Sequence, residues 1–163
     1  MPRVNFVKRA RKDNPVVKKG ESYYWWKFRF GPKQYSKTYP KRSQLTQSSF
    51  LSQLYDLEDE LEKSIGEATT TEELQEIVEG MKGDIEQLTY EVQESLENMP
   101  EHLQDSSDSG MMLQERIDSL ESWHSELENI DFEPDDPHDP DFEMEDHVES
   151  IKEQILESNP GMS

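Results

Sequence analysis

The sequence contains no cysteine, so disulfide bonds, thiolate catalysis and cysteine-based zinc sites are excluded. Hydrophobic residues make up only 31% of the 163 positions, and no apolar run approaches the ~18 residues that a membrane span requires. The first residues, MPRVNF, lack the apolar core of a secretory signal peptide. These features predict a soluble cytoplasmic protein without the large core of an enzyme barrel or a doubly wound sheet.

The motifs of common catalytic sites are also missing, since the chain has no glycine-rich phosphate loop, no HExxH pair and no nucleophile elbow. Its many carboxylates lie at solvent-facing positions of predicted helices, where no two are distinguished as an acid–base pair. His124 on an apolar stripe is read as a packing residue. The acids and histidines of residues 138–147 match no metal-binding loop. We therefore predict no enzyme activity, no cofactor and no metal site.

Charge is distributed unevenly along the chain. Residues 1–42 contain thirteen lysines and arginines but only two acids, a net charge of +11. The remaining 121 residues contain four basic and 35 acidic residues, a net charge of −31. A basic module joined to an acidic one predicts a different kind of partner for each half of the chain.

The composition and hydrophobic periodicity predict an α+β fold, with a small N-terminal antiparallel sheet backed by a helix. An acidic antiparallel helical hairpin or coiled coil and a C-terminal helix follow. The predicted segments are a basic β-sheet module at 1–43, an amphipathic linking helix at 44–65, an acidic helical hairpin at 66–131, an acidic proline-rich linker at 132–141 and a C-terminal amphipathic helix at 142–159.

The run YYWWKFRF at 23–30 is rich in aromatic residues, which favour β-strands. Alternation gives it an apolar face, predicted to be the core, with Tyr24, Trp26, Phe28 and Phe30. The opposite face combines rings and cations, with Tyr23, Trp25, Lys27 and Arg29. A strand at 4–7 and a return strand at 35–39 complete a three-stranded sheet. Helix 44–65, capped by Ser43, is expected to pack its first turns on the apolar face.

Cations beside exposed aromatic rings are typical of nucleic-acid-binding surfaces, because basic side chains bind phosphates while rings stack on bases or sugars. We predict contact with DNA or RNA. The candidate residues are Tyr23, Trp25, Lys27, Arg29, Lys33, Lys37, Arg9, Arg11 and Lys12. The alternative is that Tyr23 and Trp25 complete a small core and that the lysines form a solvated face.

Residues 19–38, KGESYYWWKFRFGPKQYSKT, resemble the arm-binding N-terminal DNA-binding domain of phage-type tyrosine recombinases. The shared features are an aromatic-basic strand, a glycine turn and a Tyr-Ser-Lys strand. The resemblance implies a three-stranded sheet that enters the DNA major groove, with Lys27, Arg29, Lys33 and Lys37 facing DNA. The rest of the chain has no recombinase catalytic domain. Its layout resembles small proteins of tailed phages, which implies a phage origin and the host cytoplasm as its location.

The acidic half has heptad spacing that predicts long helices. Thr70 and Glu73 form a capping box that starts a helix at 71, which ends before Pro100. A second helix is predicted from 111 to 130. The seam available to a partner helix contains Leu74, Val78, Met81, Ile85, Leu88, Val92, Leu113, Ile117, Leu120 and Leu127. We predict that helix 44–65, a second copy of the chain or another protein covers this seam.

These features favour a non-enzymatic nucleic-acid-binding accessory protein, whose acidic helices dimerise or recruit a protein. The alternative is an acidic decoy. Its rows of carboxylates would mimic phosphates and occupy the nucleic-acid site of a host defence or nucleic-acid-processing protein.

Overall fold

A computed structural model describes residues 1–161 and shows the predicted α+β fold, with a three-stranded antiparallel sheet followed by helices. The chain forms two compact units, Met1–Glu58 and Asp59–Ser163. The first contains β1 (Asn5–Val7), β2 (Tyr23–Lys27), β3 (Lys33–Ser36), a short 3₁₀ helix (Arg42–Leu45) and the start of α1 (Ser49–Glu67). The second contains the rest of α1, then α2 (Thr71–Glu97), α3 (Glu101–Gln104), α4 (Asp108–Glu128) and α5 (Met144–Glu157).

The sheet places β2 in the centre, with antiparallel neighbours on both sides. Trp25 lies opposite Asn5 on β1 and Tyr35 on β3, whereas Tyr24 lies opposite Phe6. Because successive side chains of a strand point to opposite faces, Trp25 and Trp26 face opposite sides of the sheet. The two faces of the sheet therefore carry different sets of side chains.

The apolar core of the first unit is smaller than the alternation of residues 23–30 predicts. Trp26 is buried, with 3% of the residue's surface exposed, but Phe30 is 74% exposed, so the assignment of Phe30 to the core is wrong. The reason is that β2 ends at Lys27 and the chain enters a turn before Gly31, whose φ of +133° favours glycine. Phe28 lies outside the strand and is half-buried. The core instead contains Ala10, Val17, Trp26, Leu45, Phe50, Leu54 and Tyr55.

The helix after the sheet begins later than predicted, at Ser49 rather than 44. Ser43 does not cap it, because residues 42–45 form the separate 3₁₀ helix. Ser48 supplies the cap, since its Oγ accepts a hydrogen bond from the Leu51 N–H at 3.3 Å. Ser52 Oγ donates to the Ser43 carbonyl at 3.0 Å and ties the two helices together.

The acidic half folds as a helical unit whose heptad seam is closed within a single chain. α2 packs along α4 and also against α5. The buried seam residues are Leu74, Val78, Met81, Ile85, Leu88, Val92, Ile117, Leu120 and Leu127, while Leu113 is half-buried. Trp123 and the α5 residues Val148, Ile151 and Ile155 are buried as well. The apolar stripe therefore stabilises the unit itself, and its charged faces point to solvent.

The connection between α2 and α4 is more ordered than the predicted loop at 101–110. It contains α3, and α4 begins at Asp108 instead of 111. Ser107 caps α4 by accepting a hydrogen bond from the Gly110 N–H at 3.0 Å. A Cβ atom at position 110 would lie 2.3 Å from the Gln104 carbonyl oxygen, so this close approach requires glycine. Gly80 and Gly83, in contrast, have open space around them within residues 1–161.

The proline-rich segment after α4 is structured by local turns. The side chains of Asp131, Asp136 and Asp139 each accept a hydrogen bond from a backbone N–H two residues later. His147 on α5 contacts the Phe132 carbonyl oxygen through its Nε2 at 3.0 Å. In the described part of the chain, no helix combines the length and apolar character that crossing a membrane demands.

The predicted capping box at the start of α2 is present. Thr70 Oγ1 accepts a hydrogen bond from the Glu73 N–H at 3.2 Å. We expect Thr70→Ala to lower the free energy of unfolding of the helical unit by about 1 kcal/mol, because one N–H of the first turn loses its partner. Urea denaturation followed by circular dichroism measures the change. Thr70→Ser retains the acceptor and is the matched control, so equal losses in both variants would contradict the assignment.

The same cap gives the helical unit a pH dependence. The backbone N–H of Thr69 donates to the Glu73 carboxylate at 2.8 Å, and this hydrogen bond holds the pKa of Glu73 below its ordinary value. Because the folded state lowers this pKa, the stabilisation is complete at neutral pH and is lost as the pH falls through the folded-state value. Glu73→Gln is expected to remove this part of the acid sensitivity.

Candidate nucleic-acid interface

The long connection between β1 and β2 is an ordered loop that continues the hairpin. The Ala10 N–H donates to the Glu21 carbonyl at 2.8 Å, and the Gly20 N–H donates to the Ala10 carbonyl at 2.9 Å. Gly20 has a φ of +96°, which favours glycine. Ala10 and Val17 are buried and anchor the loop. Arg9, Arg11 and Lys12, which flank or follow Ala10, are therefore carried on fixed backbone.

The two carboxylates of the first 42 residues accept hydrogen bonds from backbone N–H groups of this loop, and within residues 1–161 neither forms a salt bridge with a cation. Asp13 Oδ1 accepts a hydrogen bond from the Lys19 N–H, and Glu21 Oε2 accepts one from the Lys18 N–H, both at 2.7 Å. Asn14 Oδ1 accepts the N–H groups of Val16 and Val17 at 3.0 and 2.9 Å. The acids are thus used for local turn formation.

A groove of about 470 Å³ lies between this loop and the face of the sheet that carries Trp25. We call it the basic groove. Its lining residues are Val7, Arg9, Arg11, Lys12, Asn14, Tyr23, Trp25, Lys33 and Tyr35. The four cations are exposed, the three aromatic rings are half-buried, and none of the cations forms a salt bridge within residues 1–161. The groove is therefore an electropositive recess with an aromatic floor.

The floor has defined contacts between its side chains. Lys33 Nζ lies 4.3 Å from the centroid of the Trp25 ring, a cation–π contact. The rings of Tyr23 and Tyr35 are 6.0 Å apart and tilted by 42°. Because Trp25 and Tyr35 are opposite each other in the sheet register, the strand pairing itself fixes the positions of the rings.

Six of the nine candidate residues from the sequence meet in the basic groove, and three do not line it. Lys27 and Arg29 line a second cavity of about 500 Å³, together with Phe28 and residues of α1 such as Tyr55. Arg29 also lies over the ring of Phe30, with its Cζ 5.4 Å from the centroid. Lys37 follows the last residue of β3 and is exposed.

Sequence reasoning missed Tyr35, Val7 and Asn14. The signal for Tyr35 was available, since alternation from Lys33 along a return strand places both on one face. The predicted strand 35–39 also places Tyr35 on the same face as the candidate Lys37, so the difference from β3 (Lys33–Ser36) does not account for the omission. Asn14 depends on the fold of the long loop, which periodicity does not predict.

The opposite face of the sheet carries a partly exposed aromatic cluster. The Tyr24 ring lies 5.1 Å from Phe6 and 5.5 Å from Tyr39, measured between centroids. Phe6 and Tyr39 are 58% and 65% exposed. Tyr24 is half-buried, so the predicted core face is buried only around Trp26.

In the helical unit, His124 on α4 pairs with Glu86 on α2, with 2.9 Å between Nε2 and Oε1. The contact joins the two helices and accounts for the histidine beside the apolar seam. Among residues 1–161, no three His, Asp or Glu side chains are grouped so that they could hold a metal ion. The carboxylates of residues 138–147 are therefore not gathered into a site.

The resemblance of residues 19–38 to the recombinase arm-binding domain and the implied phage origin stay predictions. Searches against protein-family models, curated proteins and solved structures give no match to this chain.

Proposed function

We propose that the first unit binds nucleic acid through the basic groove and that the protein is a non-enzymatic accessory factor. The observation that carries the proposal is the convergence on one recess of three half-buried aromatic rings and four exposed cations that form no salt bridge within residues 1–161. Phosphates attract the cations, and planar bases or sugars fit against the rings.

The charge of the groove has no evident role in folding. Like charges held close together repel one another and destabilise the compact state. The loop nevertheless carries Arg9, Arg11 and Lys12 on fixed backbone while both nearby acids bond to backbone N–H groups. An anionic ligand that neutralises these cations accounts for the arrangement, whereas a merely solvated face does not require an aromatic recess beside it.

In this proposal the acidic helical unit recruits a protein partner. Its apolar seam is already closed by α4 and α5, so a dimer formed through the seam would have to replace contacts within the chain. The exposed carboxylates of the helices are better suited to a basic protein surface, through charge complementarity.

The test is a titration of the full-length protein with fluorescein-labelled oligo-dT, oligo-U and duplex DNA, read by fluorescence anisotropy at several salt concentrations. We expect binding at low salt that weakens steeply as salt rises, because bound cations release counterions from the phosphates. A failure to bind any of the probes at low salt would contradict the proposal. The decoy interpretation, which requires only the acidic unit, would then be the better account.

A further inference from the structure

The shape of the basic groove distinguishes between two forms of nucleic acid. Tyr23, Trp25 and Tyr35 are half-buried in the floor, while the cations stand at its rim. A β-ribbon that reads a duplex must enter a groove ~12 Å wide with side chains that project from its surface. Recessed rings do not project, and the stacked bases of a duplex present no free ring face to them.

The basic groove is the size of a site for a ligand much smaller than a duplex. A volume of about 470 Å³ falls within the ~300–1,000 Å³ range of small-molecule sites. One or two unpaired nucleotides are ligands of this class. Their bases can leave the solvent and lie on the floor while the adjoining phosphates remain at the rim.

Trp25 is the natural stacking platform, but Lys33 covers its ring in the structure. The Lys33 ammonium lies 4.3 Å from the ring centroid. Stacking of a base on an aromatic ring is generally stronger than an exposed cation–π contact, so a base can displace the ammonium. The freed Lys33 side chain is long and mobile enough to bind a neighbouring phosphate.

We infer that the ligand of the basic groove is a single strand, with one base stacked on Trp25 in place of Lys33 and its phosphates bound by the rim cations. This inference rests on the proposed function and specifies its substrate class. It also departs from the major-groove binding that the recombinase resemblance implies.

The experiment compares full-length wild-type protein with the Trp25→Ala and Trp25→Phe variants against oligo-dT and a duplex of equal length. We expect Trp25→Ala to weaken oligo-dT binding roughly 10- to 100-fold, since that is the usual loss when one stacking ring is removed. Trp25→Phe keeps a ring and should lose much less. Duplex binding should be weaker than oligo-dT binding and nearly equal in all three proteins.

Intrinsic fluorescence provides a second measurement that does not depend on the stability of the alanine variant. The other two tryptophans, Trp26 and Trp123, are buried. A stacked base should therefore quench Trp25 alone, so oligo-dT should quench the wild-type protein but leave the fluorescence of Trp25→Phe unchanged.

The possible failures can be told apart. Equal quenching in Trp25→Phe, or duplex binding that is as tight as oligo-dT binding and insensitive to Trp25→Ala, would overturn the single-strand inference and leave nucleic-acid binding in place. Absence of binding to both probes would overturn the proposed function itself.

Discussion

A variant that replaces Arg9, Arg11, Lys12 and Lys33 with glutamine is expected to bind single-stranded nucleic acid roughly 100-fold more weakly at about 0.1 M salt. Each phosphate neutralised on a single strand adds about 0.7 to the slope of log K against log salt, so the three phosphates that flank two bound nucleotides account for about two decades. Fluorescence anisotropy titration of the full-length proteins measures the loss. The substituted side chains are all exposed, so the fold should be retained.

The control is a second variant with the same loss of charge outside the groove. Lys8, Lys18, Lys19 and Lys37 are exposed and do not line it. Their replacement by glutamine is expected to cost less than about tenfold, because only screened long-range attraction is lost. If the two variants lost affinity equally, binding would depend on net charge and not on the groove.

Trp26→Ala is expected to destabilise the first unit by about 3–5 kcal/mol, the usual cost of removing a buried aromatic side chain. Trp26 is 3% exposed on the face of the sheet opposite the groove. Hydrogen exchange of the β2 amides measures the effect within this unit, independently of the helical unit. Protection of those amides should fall steeply in the variant.

Two comparisons make this prediction specific. The Trp26 Nε1 atom is buried without a hydrogen-bond partner in the described structure. Trp26→Phe removes that unsatisfied donor along with part of the ring, so its cost should be well below that of alanine. Trp25→Ala, on the adjacent residue, should change protection little. Similar losses in Trp25→Ala and Trp26→Ala would contradict the assignment of the two rings to opposite faces.

Local signals in the sequence were sufficient for much of the fold. The Thr70–Glu73 capping box and the heptads gave α2 almost to the residue, because both are encoded within a few turns of helix. The start of α1 is not predictable in the same way, because Ser43 and Ser48 are equally good caps locally. The 3₁₀ helix at 42–45 is held by tertiary contacts such as the hydrogen bond from Ser52 to Ser43.

The sequence predicts the residues of the basic groove that lie on strands, but not how the loop residues are positioned. Alternation placed Tyr23 and Trp25 on one face, as the sheet register requires. The same alternation predicts that Arg29 shares this face, which is wrong because β2 ends at Lys27 and nothing in the sequence of residues 28–30 marks that end. The position of Arg11 in the groove that Trp25 also lines depends on hydrogen bonds that close a loop of many residues, such as that between the Lys19 N–H and Asp13.

Ultraviolet crosslinking tests most directly whether the basic groove binds nucleic acid. Full-length protein would be irradiated with an oligo-dT that carries a photoreactive base, and the crosslinked residues would be identified by mass spectrometry. We expect crosslinks at Trp25, Tyr23 or Tyr35. Crosslinks confined to the opposite face of the sheet, at Phe6, Tyr24 or Tyr39, or to the helical unit would contradict it.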